Sequence, residues 1–390
     1  MRQVRRARSP LLRYGMSQVC LDVQFWFPVW FIFLIDRGFT FGQAALADSL
    51  FRIGVVVLEV PMGYVADRIG RVRAYRMLCL LTALTYVAIS VVSTVGLLLS
   101  VWLLWSLQWA LGSGLGAAIG YDYAVQIPVL EERRRIFARL RAASATGALV
   151  SLATAGLLYQ IDPAAPFLAT AGLALVAALI AGTLPDVYAA RRQRRAGNPR
   201  SWMRSAWNDR PQRILLAAAS VFLLLIWSVQ ILFQPLALYL NLSPSSTSLM
   251  FTACAASGML GTLSAARWRR RSAWSPQLMC GGLVSVLCLV TAIWPWAAPW
   301  AFLPALSLAA AFGWTVTEFS VSEAVDGPFL TTALSLVSAA AGVGIAVARP
   351  ALLLGAEQFG APAAVAGWGV VALALSMLIA YFRSRPGVRL

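Results

Sequence analysis

The sequence predicts an all-α integral membrane protein of about twelve spans, at roughly 20 apolar residues each, arranged as two six-helix halves. Three observations carry this. Of the 390 residues, 60% are hydrophobic and only 12% charged, against about 25% charged in a soluble domain. The apolar residues come in runs of spanning length, which leaves no room for a large soluble domain. The 32 cationic residues are all arginines, and they gather in alternate connections.

The amino-terminal arginines resemble the start of a signal peptide, but the apolar run behind them is too long and lacks a small-residue cleavage site. A retained first helix is expected. Apolar runs recur at 12–35, 44–64, 77–94, 97–125, 142–161 and 167–184, then at 214–240, 246–266, 276–294, 300–321, 330–354 and 363–382. The expected organisation is an amino-terminal bundle over 1–185, a basic linker over 186–213 and a carboxy-terminal bundle over 214–390. The linker reads either as a surface helix touching anionic headgroups or as a plain basic connection.

Loops with Arg68, Arg71, Arg73 and Arg76, with Arg133 to Arg141, with Arg267 to Arg271, and the tail with Arg383 to Arg389 lie on one side. The other side holds little beyond Arg37. The positive-inside rule then places both termini in the cytoplasm, for a multi-pass protein of the cell's inner membrane. The net charge of +17 is a topology signal, because a nucleic-acid binder needs its basic face on a soluble fold. Five cysteines inside apolar runs lack metal or disulfide spacing and read as packing residues. No zinc-protease, nucleophile-elbow or P-loop pattern appears, so neither enzyme chemistry nor a cofactor is expected.

Between the second and third runs stands Gly63-x-x-x-Asp67-Arg68-x-Gly70-Arg71, preceded by Glu59-Val60-Pro61-Met62. This segment resembles the signature loop between helices two and three of the major facilitator superfamily. The preceding residues are similar to those of a branch rich in drug and metabolite exporters. The sharp part covers about a dozen residues; span count and loop charge extend the likeness along the chain. Ser257 to Gly261 echoes the segment in the second half, but Ala265 and Ala266 stand where Asp67 and Arg68 would repeat. The resemblance implies two six-helix bundles, alternating access, and a one-sided latch at Gly63, Asp67, Arg68, Gly70, Arg71 and Asp122. In that latch Asp67 would meet the start of span eleven near 329–332, and Arg68 would pair with Asp122.

Ionisable groups at membrane depth are functional candidates by default. Histidine is absent, so proton coupling falls to carboxylates, whose charged form burial disfavours. Asp22 in span one is the first candidate, Glu318 in span ten the second, and Glu59 serves the neighbouring latch. Arg52 is a buried charge partner for Asp22, although Asp48 competes for it at i, i+4 spacing. Arg349 is expected to snorkel outward in preference to binding an anion.

By the resemblance, spans one, four, seven and ten line the cavity. The candidates there are Gln24, Trp26 and Trp30; Trp105, Gln108 and Trp109; Trp227, Gln230 and Gln234; and Trp314. Together they describe an apolar cavity with a few polar handles. Pro28 and Pro235 sit at matching places in spans one and seven and suit bends beside a binding site.

The leading expectation is a monomeric secondary transporter exporting a small amphipathic or hydrophobic molecule, with protons as the coupling partner. The runner-up imports a polar metabolite by facilitation or proton symport. A third reading is a non-transporting scaffold or sensor, which would show no substrate flux in vesicles.

Overall fold

The computed structural model describes residues 2–113, 115–124, 126–127, 130–186, 207–265, 267, 276–325 and 330–384. Two compact units emerge: residues 1–192 with 243–249, and residues 193–242 with 250–390. Along the first lie α1 (Arg2–Asp22), α2 (Trp30–Asp36), α3 (Phe41–Ile69), α4 (Arg71–Ser90), α5 (Val95–Gly112), α6 (Leu115–Ala124), α7 (Leu130–Ile161) and α8 (Ala165–Gly182). The later part of the chain forms α9 (Arg210–Val229), α10 (Phe233–Tyr239), α11 (Pro244–Ala265), α12 (Pro276–Ile293), α13 (Leu303–Ala324), α14 (Leu330–Phe359) and α15 (Ala361–Ser384).

Helices satisfy their own backbone polar groups, which is why apolar runs in lipid adopt them. Among the described residues, ten helical segments are long and apolar enough to cross a membrane. Two more complete twelve spans: α12, with its shorter apolar stretch Leu278–Ile293, and the first span, divided into α1 and α2.

The expected runs 12–35, 97–125 and 214–240 are not continuous helices. Span one opens between Asp22 and Trp30, and span four divides between Gly112 and Leu115. Span seven passes through a 3-10 turn at Gln230–Leu232, and span ten begins with a π-turn at Ala298–Phe302. Each broken span is the first of a three-helix set. Pro28 falls inside the first break, and Pro235 follows the third by three residues. A proline has no N–H to give the preceding turn. Pro61 and Pro350, by contrast, lie within helices that continue past them.

Caps place the short turns of the first unit. The Thr40 side chain accepts from the Gln43 amide while Gln43 returns a bond to the Thr40 amide, a capping box. Thr94 begins α5 by accepting from the Leu97 N–H. Gly70 joins α3 to α4 at φ +95°, a conformation that a residue with a side chain rarely takes.

Each unit has its own core. In the first, Leu11, Tyr14, Tyr75, Leu111, Ile119 and Tyr123 are buried together, with the Tyr14 ring 5.4 Å from Tyr75 and 6.1 Å from Tyr123. The second is largely aliphatic, with Phe222, Leu223 and Ile226 of α9 against Val337, Ala341 and Ile345 of α14.

Candidate functional site

A cavity of about 320 Å³ opens in the first unit between α1, α4, α5 and α6. Both sides of the span-four break contribute to it, through Gly112 and Ser113 before and Gly116 after. Irregular backbone at membrane depth is tolerated where it lines such a space.

From α1 and the break behind it come Gln18, Asp22 and Gln24. Asp22 closes α1, and its Oδ1 accepts from Gln18 Nε2 at 2.9 Å. The backbone N–H of Gln24, freed by the break, donates to Ser151 Oγ of α7 at 3.2 Å. α4 supplies Tyr75, Thr82 and Tyr86, and α5 supplies Gln108 and Trp109. The lining thus combines one carboxylate, three amides, several hydroxyls and an indole face. Behind it, Trp26 packs edge-on to Trp105 at 4.8 Å and lies 5.5 Å from Tyr86.

Of the residues expected in the cavity, Gln24, Gln108 and Trp109 line it, and the proton-coupling candidate Asp22 lines it with them. Trp26, Trp30 and Trp105 are buried instead as a wall, with Trp30 ranged beside Trp102 at 6.2 Å. In the other unit Trp227 is exposed, Gln230 is half-buried within the 3-10 turn, Gln234 is buried, and Trp314 packs on the aliphatic core. Glu318 is exposed one turn beyond Trp314.

Among the described residues no bond joins Asp22 to Arg52. Asp22 faces α4, α5 and α6, whereas Arg52 sits on α3 with its guanidinium 5.2 Å over the Phe51 ring. Glu59 accepts from the Ser113 hydroxyl at 2.7 Å, so this carboxylate touches the span-four break rather than the loop. Arg349 does not turn outward. It is 7% exposed, and its Nε and Nη2 donate to the Trp227 carbonyl at 3.3 and 3.0 Å. That carbonyl lies in the last turn of α9, and a cation suits a helix carboxyl end.

At the arginine-bearing end, Asp122 pairs with Arg71 at 2.9 Å, not with Arg68. Arg68 is exposed and lies 6.0 Å over the Tyr64 ring. Gly63 is exposed as well, with open space where a Cβ would stand. At Gly70 a Cβ would meet Asp186 Oδ2 at 3.3 Å. The Asp67 side chain and residues 326–329 with the side chains of 330–332 lie outside the described residues, as do 187–206 of the basic connection and Ala266.

The sequence reading missed Gln18, Tyr75, Thr82, Tyr86 and Ser113. A signal was present: Tyr75, Cys79, Thr82 and Tyr86 step by four, three and four residues, a polar stripe on one face of a helix. Gln18 likewise stands one turn before Asp22.

The Major Facilitator Superfamily family model matches residues 16–320. No curated protein matches the chain by sequence. Among solved structures, a point mutant of the nucleoside transporter NupG superposes with a TM-score of 0.76 at 16% identity, covering 96% of this chain and 99% of that one. Unmutated NupG gives 0.75 at 15% identity over 97% and 99%. A bacterial homolog of the human lysosomal transporter Spinster, inward-facing and unoccupied, gives 0.69 at 14% identity over 96% and 95%.

Proposed function

This chain belongs to the major facilitator superfamily, and within it we propose that the protein carries a small, polar, hydrogen-bonding solute with a flat or apolar part, by alternating access and coupled to protons. The coarser statement, a multi-pass membrane transporter of small molecules, follows from the family. The finer one rests on a single observation, the composition of the cavity beside Asp22.

Its volume of about 320 Å³ stands at the lower end of small-molecule pockets, about 300–1,000 Å³. A wholly apolar cargo would leave the amides of Gln24 and Gln108 facing hydrocarbon, at about 1–3 kcal/mol for each unpaired group. A solute bearing donors and acceptors satisfies them, and Trp109 offers a face for its flat part.

Asp22 is the proton carrier in this reading. It lines the cavity, and its hydrogen-bond partner among the described residues is a neutral amide, so no bonded cation fixes it in the charged state. Glu59 is tied to Ser113, and Glu318 is exposed in the other unit, which ranks them behind it. The arginine-bearing end faces the cytoplasm by charge bias, with both termini there, in the inner membrane. In this reading one chain suffices for transport. The loop from Gly63 to Arg71 with Asp122 acts as a latch at that end.

Efflux of an amphipathic compound is the second reading, favoured by the Glu59 to Gly63 segment and by the aromatic wall of Trp26 and Trp105. Vesicles containing the protein separate the two. Under an imposed pH gradient, polar metabolites bearing a planar ring and lipophilic amphipaths are offered in turn while flux direction and internal pH are recorded. Flux of the polar class with matching proton movement is expected. Flux confined to the lipophilic class, or flux with no proton movement, overturns the first reading.

A further inference from the structure

Gln18 stands at the centre of a hydrogen-bonded chain that solute binding alone does not require. Tyr14, Gln18 and Asp22 are spaced by four residues on α1 and so share one helix face. Gln18 Nε2 donates to Asp22 Oδ1 at 2.9 Å. On the other side of the amide, Gln18 Oε1 faces two hydroxyls, Tyr14 at 3.5 Å and Tyr75 at 3.4 Å. Both hydroxyls have a shorter bond elsewhere. Tyr14 donates to the Gly116 carbonyl at 2.6 Å, and Tyr75 to Ser17 Oγ at 3.1 Å; Ser17 passes its own proton to the Ala177 carbonyl at 2.9 Å. A phenol has one proton to give. With those protons directed at Gly116 and Ser17, each tyrosine keeps lone pairs turned toward Gln18.

We propose that the side-chain amide of Gln18 is a toggle that relays the protonation state of Asp22 to the break in span four. The inference rests on Asp22 as the proton carrier, the reading argued above. A charged carboxylate only accepts, so it draws the amide N–H and leaves Oε1 against the tyrosines. A protonated Asp22 has an O–H to donate. The amide then turns over, Oε1 accepts from Asp22, and its two N–H groups reach the lone pairs of Tyr14 and Tyr75. Asp22 gains one proton, no other group gains or loses one, and the bonds to Gly116 and Ser17 persist.

The far end of the relay is close-packed. A Cβ on Gly116 would lie 3.1 Å from the Tyr14 hydroxyl and 3.5 Å from Gln18 Oε1, so the bare glycine admits both groups to the first turn of α6. Gln18 is therefore a positioning residue for Asp22. The titratable groups within electrostatic reach of Asp22 are Tyr14 and Tyr75, with Cys79 behind them and Tyr86 on the cavity wall. Glu59 of α3 reaches the cavity edge through Ser113. α7 approaches α1 and the break behind it through Leu140, Gly147 and Ser151, and α8 approaches α1 through Ala177, none of these charged. Tyrosine and cysteine remain protonated at neutral pH and below, which leaves the carboxylates to change state.

The test needs no identified solute. Wild-type protein in lipid vesicles, grown with isotope-labelled glutamine, is titrated in pH while infrared difference spectra are recorded. The labelled amide band that Gln18→Met removes should shift with the same midpoint as the carboxylic-acid band that Asp22→Asn removes. Gln18→Met deletes the donor to the charged form and should move that midpoint to higher pH, by roughly tenfold in proton concentration. Replacing both tyrosines, Tyr14→Phe with Tyr75→Phe, deletes the acceptors of the turned amide and should move it to lower pH. This opposite sign keeps the proposal testable should Gln18→Met fail to fold.

An amide band that stays still while the Asp22 band titrates overturns the toggle. So does the absence of any Asp22 band across the folded range. Proton-coupled flux with a still Gln18 band removes the toggle and leaves the transport reading. A shifting Gln18 band with proton-free flux does the reverse.

Discussion

Spans one and seven hold matching places in the two halves of the chain, and both are broken, but the breaks are secured by different chemistry. At the first, Asp22 ends α1 beside a chain of side-chain bonds running through Gln18 to two phenols. At the second, backbone carbonyls are held directly: Trp227 by the Arg349 guanidinium, and Leu225 by the Trp368 indole N–H at 3.0 Å. Arginine keeps its charge at every ordinary pH, and an indole can only donate. These two donors therefore keep their state in acid and in alkali, whereas the first break contains a carboxylate that can change state. A repeated fold does not carry repeated chemistry with it. In the proposed reading the group that takes up the proton lies in the first half.

The contrast is sharpest at Asp22. A gradient of one pH unit supports up to about tenfold accumulation per proton carried. Asp22→Asn should reduce gradient-driven accumulation to none while solute exchange across vesicles continues. Accumulation at the wild-type level would erase the difference between the halves.

Arg349→Ala tests the second half and should act on stability instead. Loss of the charged donor should cost about 2–4 kcal/mol, read as earlier unfolding in detergent, with the pH dependence of transport unmoved. A changed pH profile would show that span seven also responds to protons. Gly116→Ala presses a methyl group against Tyr14 and Gln18. Its expected cost is about 1–3 kcal/mol, with a displaced transport midpoint that Arg349→Ala should lack.

Trp368→Phe removes one buried bond at the second break, for about 1 kcal/mol in the same unfolding measurement. The smallest effect belongs to Arg71→Gln. Its pair with Asp122 has side chains 24% and 25% exposed, so screening leaves about 0.2–1 kcal/mol, fading as salt is added. A larger, salt-independent loss would give the loop a structural weight equal to that of the breaks.

Hydropathy and arginine placement made the twelve spans legible, because lipid enforces helices wherever an apolar run is long enough. The breaks were legible only in part. Pro28 and Pro235 marked two of them, but Ser113 and Gly114 look like ordinary members of a membrane helix, where glycine is common. Arg349 was misread for a related reason: it donates to a backbone carbonyl at the end of α9, which no side chain announces. Asp22, Gln24, Gln108 and Trp109 were found by depth and by family likeness. The stripe on α4 was passed over because the likeness assigns the cavity to the first helix of each set. Gln18 escaped because an amide is not ionisable, although its place one turn from Asp22 was in plain view.

The carboxyl end of α8 has a mechanical meaning. Arg76 of α4 holds the carbonyls of Ala181, Gly182 and Leu184. Arg13 of α1 holds that of Thr183, and Tyr123 of α6 that of Pro185. This is where the chain leaves the bundle for the basic connection. The last described residues before that connection are thereby tied to α1, α4 and α6, helices that also wall the cavity.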